Sequence, residues 1–204
     1  MNLAELAIKL YNLGLIKIGQ FILSSGIKSP FYIDLRELIG YPQLMKKVAN
    51  LILREAKKKC SFEVLVGIAT GGIPLVAYMS CIGEIPMAYV RREEKKYGTG
   101  KILEGFVSNR KVLLIDDVAT TGRSLERAVN VIRDNDGLIE HAFVVIDREQ
   151  GARERLKKMG VKLHSLLTVT DLFRILHKNS LISDEKYEEI MSYIDEYRRK
   201  IGEG

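Results

Sequence analysis

At 204 residues the chain is long enough for one well-buried α/β core and short for two independent ones. Its composition, 47% hydrophobic and 28% charged, is that of an ordinary globular protein, and no apolar run approaches the roughly 20 residues of a membrane span. The formal net charge of +6 admits a nucleic-acid binder, yet much of the excess sits in Lys46, Lys47, Arg54, Lys57, Lys58 and Lys59 with no interleaved aromatics, the pattern of a solvated helix face.

In chain order, the start from Met1 to Leu6 lacks the charged and apolar regions of a secretory signal, so a soluble cytoplasmic protein is expected. Leu3, Leu6, Ala7, Leu10 and Leu13 recur at helical spacing up to Gly14. Residues 21–36 read as irregular or hairpin-like, punctuated by Gly26 and Pro30, and Pro42 opens the next helix at its first turn. Strands are predicted over 64–68, 87–90, 112–115, 141–146 and 163–167, and helices over 42–59, 73–81, 123–135 and 152–159. That alternation predicts an α/β fold, an open mostly parallel sheet with helices on both faces. Tyr187, Ile190, Met191, Ile194, Tyr197 and Ile201 form the stripe of a final amphipathic helix, expected to pack on the chain's own core or amino-terminal lobe. With no repeat or long linker, residues 1–204 are expected to form one domain, in which a helix and hood segment of about residues 1–40 pack with the carboxyl-terminal region. Cys60 and Cys81 form no C-x-x-C pair and His141, His164 and His177 show no ligand spacing, so neither a disulfide framework nor a zinc site is indicated.

The most informative run is Val112 to Leu125, where four apolar β-prone residues empty into Asp116 and Asp117 and then into Thr120, Thr121, Gly122 and Ser124. The strand is expected to end at Ile115, because carboxylates cannot continue a buried strand, and to release both acids into the crevice where open α/β sheets bind ligands. The small hydroxyl-bearing bend then opens a helix striped by Leu125, Ala128, Val129 and Ile132, whose free amino-terminal N–H groups attract a phosphate dianion. Carboxylates beside a phosphate loop must bind something other than phosphate, and ribose hydroxyls, directly or through a divalent cation, meet that need. The plain alternative is a strand, an acidic turn and an ordinary helix cap.

As a whole the run resembles the signature of the type I phosphoribosyltransferases, enzymes that use 5-phosphoribosyl 1-pyrophosphate (PRPP). The resemblance implies that fold with a small amino-terminal lobe, Asp116 and Asp117 on the ribose diol, and Val118, Ala119, Thr120, Thr121, Gly122, Arg123 and Ser124 wrapped around the 5-phosphate. No Walker A run or G-x-G-x-x-G occurs, which removes the main support for nucleoside triphosphate and dinucleotide folds.

Other segments point to the acceptor. Residues 21–36 look like the amino-terminal element of the orotate phosphoribosyltransferases, which implies contacts of Tyr32 and Ile33 with the base. The charged, glycine-bearing stretch 91–105 has the composition of a mobile loop. It resembles that family's catalytic loop, which closes over PRPP and reaches the neighbouring subunit's site, and this implies pyrophosphate contacts for Arg91, Arg92 and Lys95 and a homodimer. A histidine common in the family is replaced here by Tyr97, which can still donate a hydrogen bond to PRPP. In Val144–Gly151 a strand again ends in polar residues, and the guanidinium fork of Arg148 suits a planar carboxylate, its plain alternative being an ion pair with Asp147 or Glu149. The resemblance implies that Arg148, with Thr120, binds orotate.

The glycine turn within Val66–Pro74 can cradle pyrophosphate by backbone N–H groups, although lysines that some relatives carry at the positions of Ser24 and Gly71 are absent. The implied activity is transfer of the phosphoribosyl group of PRPP to N1 of orotate, giving orotidine 5′-monophosphate and pyrophosphate in pyrimidine biosynthesis. Lys95, Asp116 and Asp117 would be the catalytic residues, and Mg²⁺ would enter on PRPP with no dedicated protein ligand. A purine or uracil phosphoribosyltransferase and a non-catalytic PRPP-binding regulator that contacts DNA are the alternatives. The charged loop, and the lack of an appended helix-turn-helix, argue against the regulator, so neither a nucleic-acid nor a membrane partner is expected. Too little chain follows residue 178 for a fused decarboxylase, so the step to uridylate is expected from a separate polypeptide.

Overall fold

A strand covered on both faces has no solvent side to reserve for polar residues, and five segments of this chain are near-continuous apolar runs for that reason. The computed structural model describes residues 1–22, 28–92 and 102–202. Helix α1 (Leu3–Asn12) leads into a hairpin of β1 (Ile16–Ile22) and β2 (Lys28–Ile33), a short 3₁₀ helix (Arg36–Gly40) and α2 (Pro42–Lys57). There follow β3 (Val64–Ile68), α3 (Gly72–Gly83), β4 (Met87–Val90), β5 (Leu103–Glu104), β6 (Lys111–Ala119) and α4 (Arg123–Arg133). The chain continues through β7 (Leu138–Asp147), α5 (Ala152–Lys158), β8 (Lys162–Thr168), α6 (Val169–Lys178) and α7 (Asp184–Gly202).

The main sheet has the order β5-β4-β3-β6-β7-β8 and is parallel except for the β4–β5 pair. Period-two alternation divides its apolar residues between two layers. Leu65, Leu113, Ile115, Phe143 and Val145 face a core shared with α1, α2, α3, α6, α7 and the hairpin. Val64, Val66, Val112, Leu114, Ala142 and Val144 face the other core, with α4 and α5. Helix α2 buries Met45, Val48, Ala49, Ile52 and Ala56 and leaves Lys46, Lys47, Arg54, Lys57, Lys58 and Lys59 exposed, so the basic run is a solvated face.

The hairpin lobe is fastened to the end of the chain. Phe31 is fully buried, with its ring centroid 4.9 Å from that of Phe173 on α6 and 5.8 Å, edge-on, from that of Tyr193 on α7. Ile190 and Ile194 of α7 lie in the same core. Tyr11 of α1 donates its hydroxyl to the Leu181 carbonyl at 3.2 Å. Among the described residues no helix is long and apolar enough to cross a membrane.

Four described elements were not expected from the sequence: β1, the 3₁₀ helix, β5 and α6. Strand β1 contains Lys17, Gly19 and Gln20 and forms because it pairs antiparallel with β2, Ile16 opposite Ile33 and Ile18 opposite Phe31. Helix α6 follows β8 directly, with Thr168 as both the last strand residue and the N-cap, its side chain accepting from the Asp171 N–H. Without a glycine or proline between them, strand and helix merge in a reading based on punctuation.

One boundary needs correction. Strand β6 does not stop at Ile115 but runs through both acids to Ala119, because main-chain pairing with β7 continues through Asp116↔Val144, Val118↔Ile146 and Ala119↔Asp147. Strand pairing is a backbone property, and carboxylates are tolerated where the sheet ends in a cleft.

Candidate active site

Strands β3 and β6 are neighbours, and the chain leaves β3 toward β4 and β6 toward β7, in opposite directions, so a crevice opens above the carboxyl ends of β3 and β6. Doubly wound sheets bind ligands at such a switch point. The crevice here is a cleft of about 470 Å³, with Thr70 and Gly71 from the turn after β3, Arg91 and Arg92 from the end of β4, and Asp116 and Asp117 from β6. Arg123, Ser124 and Arg127 of α4 and Arg36 of the 3₁₀ helix complete its wall. The β3–α3 turn lies hard against the acids. A Cβ on Gly71 would stand 2.3 Å from the Asp117 carboxyl carbon, so a side chain there would displace the carboxylate.

The two acids are poorly solvated. Asp116 is 8% exposed; the Asp117 N–H donates to its Oδ1 at 3.0 Å, and the Val118 N–H to Asp117 Oδ1 at 2.8 Å. Burial pushes the Asp116 carboxyl well above the usual carboxylate range, and the charge of Asp117 pushes it further, with Arg92 in opposition. Burial also raises Asp117, against the hydrogen bonding around it and the charge of Arg36. Both carboxylates are therefore costly as neighbouring anions and gain from a ligand that brings hydroxyl donors or a cation.

Thr120, Thr121 and Gly122 make the bend from β6 into α4. Gly122 adopts φ +79°, and a Cβ there would lie 2.9 Å from the Ala152 Cα, so this position needs glycine on both counts. No side chain caps α4, and its first-turn N–H groups remain available for an anion. The bend is held from outside by Arg155 of α5, which donates from Nε to the Thr121 carbonyl at 2.8 Å and pairs with Glu126 at 2.7 Å.

Arg148 lies just past β7 and beneath the lobe, only 5% exposed. Neither adjacent acid pairs with it. Asp147 is bound by Arg153, and Glu149 accepts from Arg198 at 2.7 Å and from the Thr170 N–H at 3.0 Å. The guanidinium instead sits 4.7 Å from the Phe31 ring centroid, reaches Ser29 Oγ at 3.4 Å, and leaves its buried Nε without a partner among the described residues. Burial lowers its pKa, opposed by Tyr193, Tyr197 and Tyr32 and, among the described residues, by no carboxylate. A half-satisfied, buried fork is a ready receptor for a small carboxylate.

The phosphoribosyl transferase domain family matches residues 37–169. Over 193 residues the chain is 44% identical to the orotate phosphoribosyltransferase of Staphylothermus marinus, with 95% of each chain covered. This chain belongs to the orotate phosphoribosyltransferase family. A crystal structure of the orotate phosphoribosyltransferase from Aeropyrum pernix superposes with a TM-score of 0.76 at 35% identity, covering 87% of this chain and 99% of that one. A structure of Leishmania donovani UMP synthase gives 0.85 at 27% identity over 95% of this chain, which spans only 42% of that longer protein.

Of the residues expected to serve this orotate phosphoribosyltransferase site, Arg91, Arg92, Asp116, Asp117, Val118, Arg123 and Ser124 line one cleft, with the Ala119–Gly122 bend between β6 and α4 beside it. Tyr32 is half-buried, and its hydroxyl accepts from Arg36 Nη2 at 3.3 Å. Ile33 alternates to the other side of β2 and packs in the core with Phe31. Lys95 and Tyr97 lie outside the described residues. Sequence reading missed Arg36, Arg127, whose Nη1 donates to the Arg91 carbonyl at 3.3 Å, and Arg155. Only Arg127 had a local signal, one helical turn beyond Arg123 on the same face. The register also joins two histidines of no visible spacing: His141 Nδ1 and His164 Nε2 are 3.1 Å apart across β7 and β8, far from the cleft end of the sheet.

Proposed function

We propose that this chain catalyses PRPP-dependent phosphoribosylation of orotate, with the residues of the cleft in the following roles. The observation that carries the reading is Arg148, a buried guanidinium with no carboxylate partner among the described residues, whose N–H donates at 2.9 Å to the Ala119 carbonyl at the end of the strand that bears the paired acids. Orotate supplies the missing anion through its carboxylate. Uracil and the purines have none to offer, so the same pocket would leave them facing an unpaired buried charge.

In the reaction the N1–C1 bond forms, the C1–O bond to pyrophosphate breaks with its electron pair leaving on pyrophosphate, and the N1 proton is released. Positive charge grows on the ribose while negative charge grows on the leaving group. Asp116 and Asp117 take the ribose hydroxyls, which relieves their mutual repulsion, and they favour the developing ribose charge. The Thr120–Gly122 bend and the first turn of α4, with Arg123 and Ser124, hold the 5-phosphate. Arg91 and Arg92 line the cleft where the pyrophosphate would lie, Lys95 and Tyr97 of the following loop would contact it in the neighbouring subunit's site, and Thr120 adds a polar contact to the base. The donors at this site are carboxylate oxygens, the ligand type Mg²⁺ accepts. When carried in on PRPP, that ion would screen the charge of the departing pyrophosphate. Closure of the loop at 91–105 over the site, from the neighbouring subunit of a homodimer, would exclude the water that competes for the same carbon.

The test is a panel of bases. Purified protein with PRPP and Mg²⁺ is offered orotate, uracil, hypoxanthine or adenine, and pyrophosphate release is followed. Turnover with orotate alone supports the proposal. A preference for another base would move the chain to a different phosphoribosyltransferase, and PRPP binding without release in any mixture would make it a regulator.

A further inference from the structure

Arg36 belongs to the lobe by sequence, yet its side chain lines the cleft beside Thr70, Gly71 and Asp117. The same four residues also bound a smaller, mostly apolar cavity of about 70 Å³ under the lobe, so the guanidinium stands at the point where lobe and β3–α3 turn meet. It is held there in a fixed direction. Nε donates to Asp34 Oδ1 at 2.7 Å, Nη2 donates to Asp34 Oδ2, and Nη2 also reaches the Tyr32 hydroxyl at 3.3 Å. Asp34 is itself fixed, its N–H donating to the Leu15 carbonyl at 2.9 Å and its Oδ1 accepting the Arg36 N–H at 3.1 Å. None of these bonds uses Nη1.

Such a pair contributes little to folding, because the Arg36 side chain is 53% exposed and exposed ion pairs are worth at most about 1 kcal/mol. Its position matters more. The other cleft cations enter from β4 or α4, whereas Arg36 enters from the lobe, and its charge favours the ionised Asp117. At Gly71 the turn it overlies can present only backbone, since a side chain there collides with Asp117. The 5-phosphate end of the cleft, at α4, already has Arg123 and Arg127. At the other end, Arg92 approaches the turn from the β4 side, its Nε donating to the Ala69 carbonyl at 3.3 Å, and Arg36 approaches it from the lobe.

We propose that Arg36 is a binding residue for the pyrophosphate of PRPP, meeting it over the Thr70–Gly71 turn through its Nη1 edge, and that Asp34 is the positioning residue that aims it. The proposal rests on the reading of the cleft as a PRPP site.

The experiment compares Arg36→Ala, Arg36→Lys and Asp34→Asn with the unsubstituted protein by calorimetric titration with magnesium pyrophosphate and, separately, with ribose 5-phosphate. Steady-state KM values for PRPP and orotate accompany the titrations. Loss of a charge-assisted contact predicts that Arg36→Ala weakens pyrophosphate about 10- to 100-fold and raises the KM for PRPP similarly. Ribose 5-phosphate affinity and the KM for orotate should change less than about twofold, since neither uses this edge. Arg36→Lys should recover part of the loss by keeping the charge, and Asp34→Asn should fall between it and the unsubstituted protein. Unchanged pyrophosphate binding in Arg36→Ala and Arg36→Lys overturns the proposal and leaves the PRPP reading standing, as does an equal loss for both ligands. Failure of the unsubstituted protein to bind pyrophosphate, ribose 5-phosphate or PRPP overturns both.

Discussion

Replacing Arg148 by methionine separates binding from folding at one position. In the free protein the guanidinium is 5% exposed, has a 3.4 Å contact with Ser29 and a ring contact with Phe31, and leaves Nε without a partner among the described residues. Methionine has nearly the same reach, fills the space against Phe31 and removes a desolvated charge. The contact with the Phe31 ring, worth up to about 2 kcal/mol when desolvated, is lost in exchange. Those two effects oppose, so the melting temperature should move by no more than about 4 °C, the shift expected from roughly 1 kcal/mol in a chain of this size. Binding should behave differently. A fork donates two charge-assisted hydrogen bonds to a carboxylate at about 1.5–3 kcal/mol each, which sets the loss at roughly 10²–10⁴-fold in kcat/KM for orotate. Spectrophotometric assays at saturating PRPP, beside uracil as a substrate without the carboxylate, read that loss and the fall in discrimination. The reasoning is refuted if kcat/KM for orotate stays within a few-fold of the original, or if the protein melts much lower and orotate kinetics follow only the folded fraction.

Asp116→Asn should abolish most turnover while raising the melting temperature at neutral pH. The carboxyl pKa is higher folded than unfolded, so ionisation opposes folding increasingly as pH rises through that window, and the amide removes this penalty; scanning calorimetry at pH 5 and pH 8 checks the sign. Gly122→Ala forces a Cβ to within 2.9 Å of the Ala152 Cα at a φ of +79°, so it should destabilise by at least about 1–2 kcal/mol and raise the KM for PRPP, as urea melts and kinetics would show. His164 is pushed down to about 4, chiefly by burial and then by the charges of His141 and nearby Lys59, Lys162 and Arg153. The unfolded chain takes up its proton first, so stability should fall by about 1.4 kcal/mol per pH unit from roughly pH 6.5 toward pH 4. Denaturant melts of His164→Phe should show a shallower slope in that range. Lys95→Ala should lower kcat by roughly 10²–10³-fold with a smaller change in orotate KM; unchanged turnover would remove that residue from the mechanism.

Much of this protein was written in local pattern. The apolar runs placed β3 and β4 at their observed limits, Pro42 marked the start of α2, and hydroxyls with a glycine after paired acids located the bend before α4. Each depends on neighbours within a few residues: strand period, cap chemistry, the φ that only glycine accepts. The composition of the Asp-Asp run likewise marked out residues that the fold brings to the cleft. Partner choice is another matter. Nothing near Arg148 in the chain reveals that Arg153 and Arg198 claim the two adjacent acids, from 6 and 49 residues away, and so leave a buried cation without a carboxylate partner among the described residues. Likewise strand order, and not spacing, set His141 against His164, and the docking of the hairpin on α6 and α7 carried Arg36 to a cleft built by other elements. Secondary structure follows short-range sterics and hydrogen bonding, whereas which charges meet and which stay unpaired is decided only when segments distant in the chain close on one another.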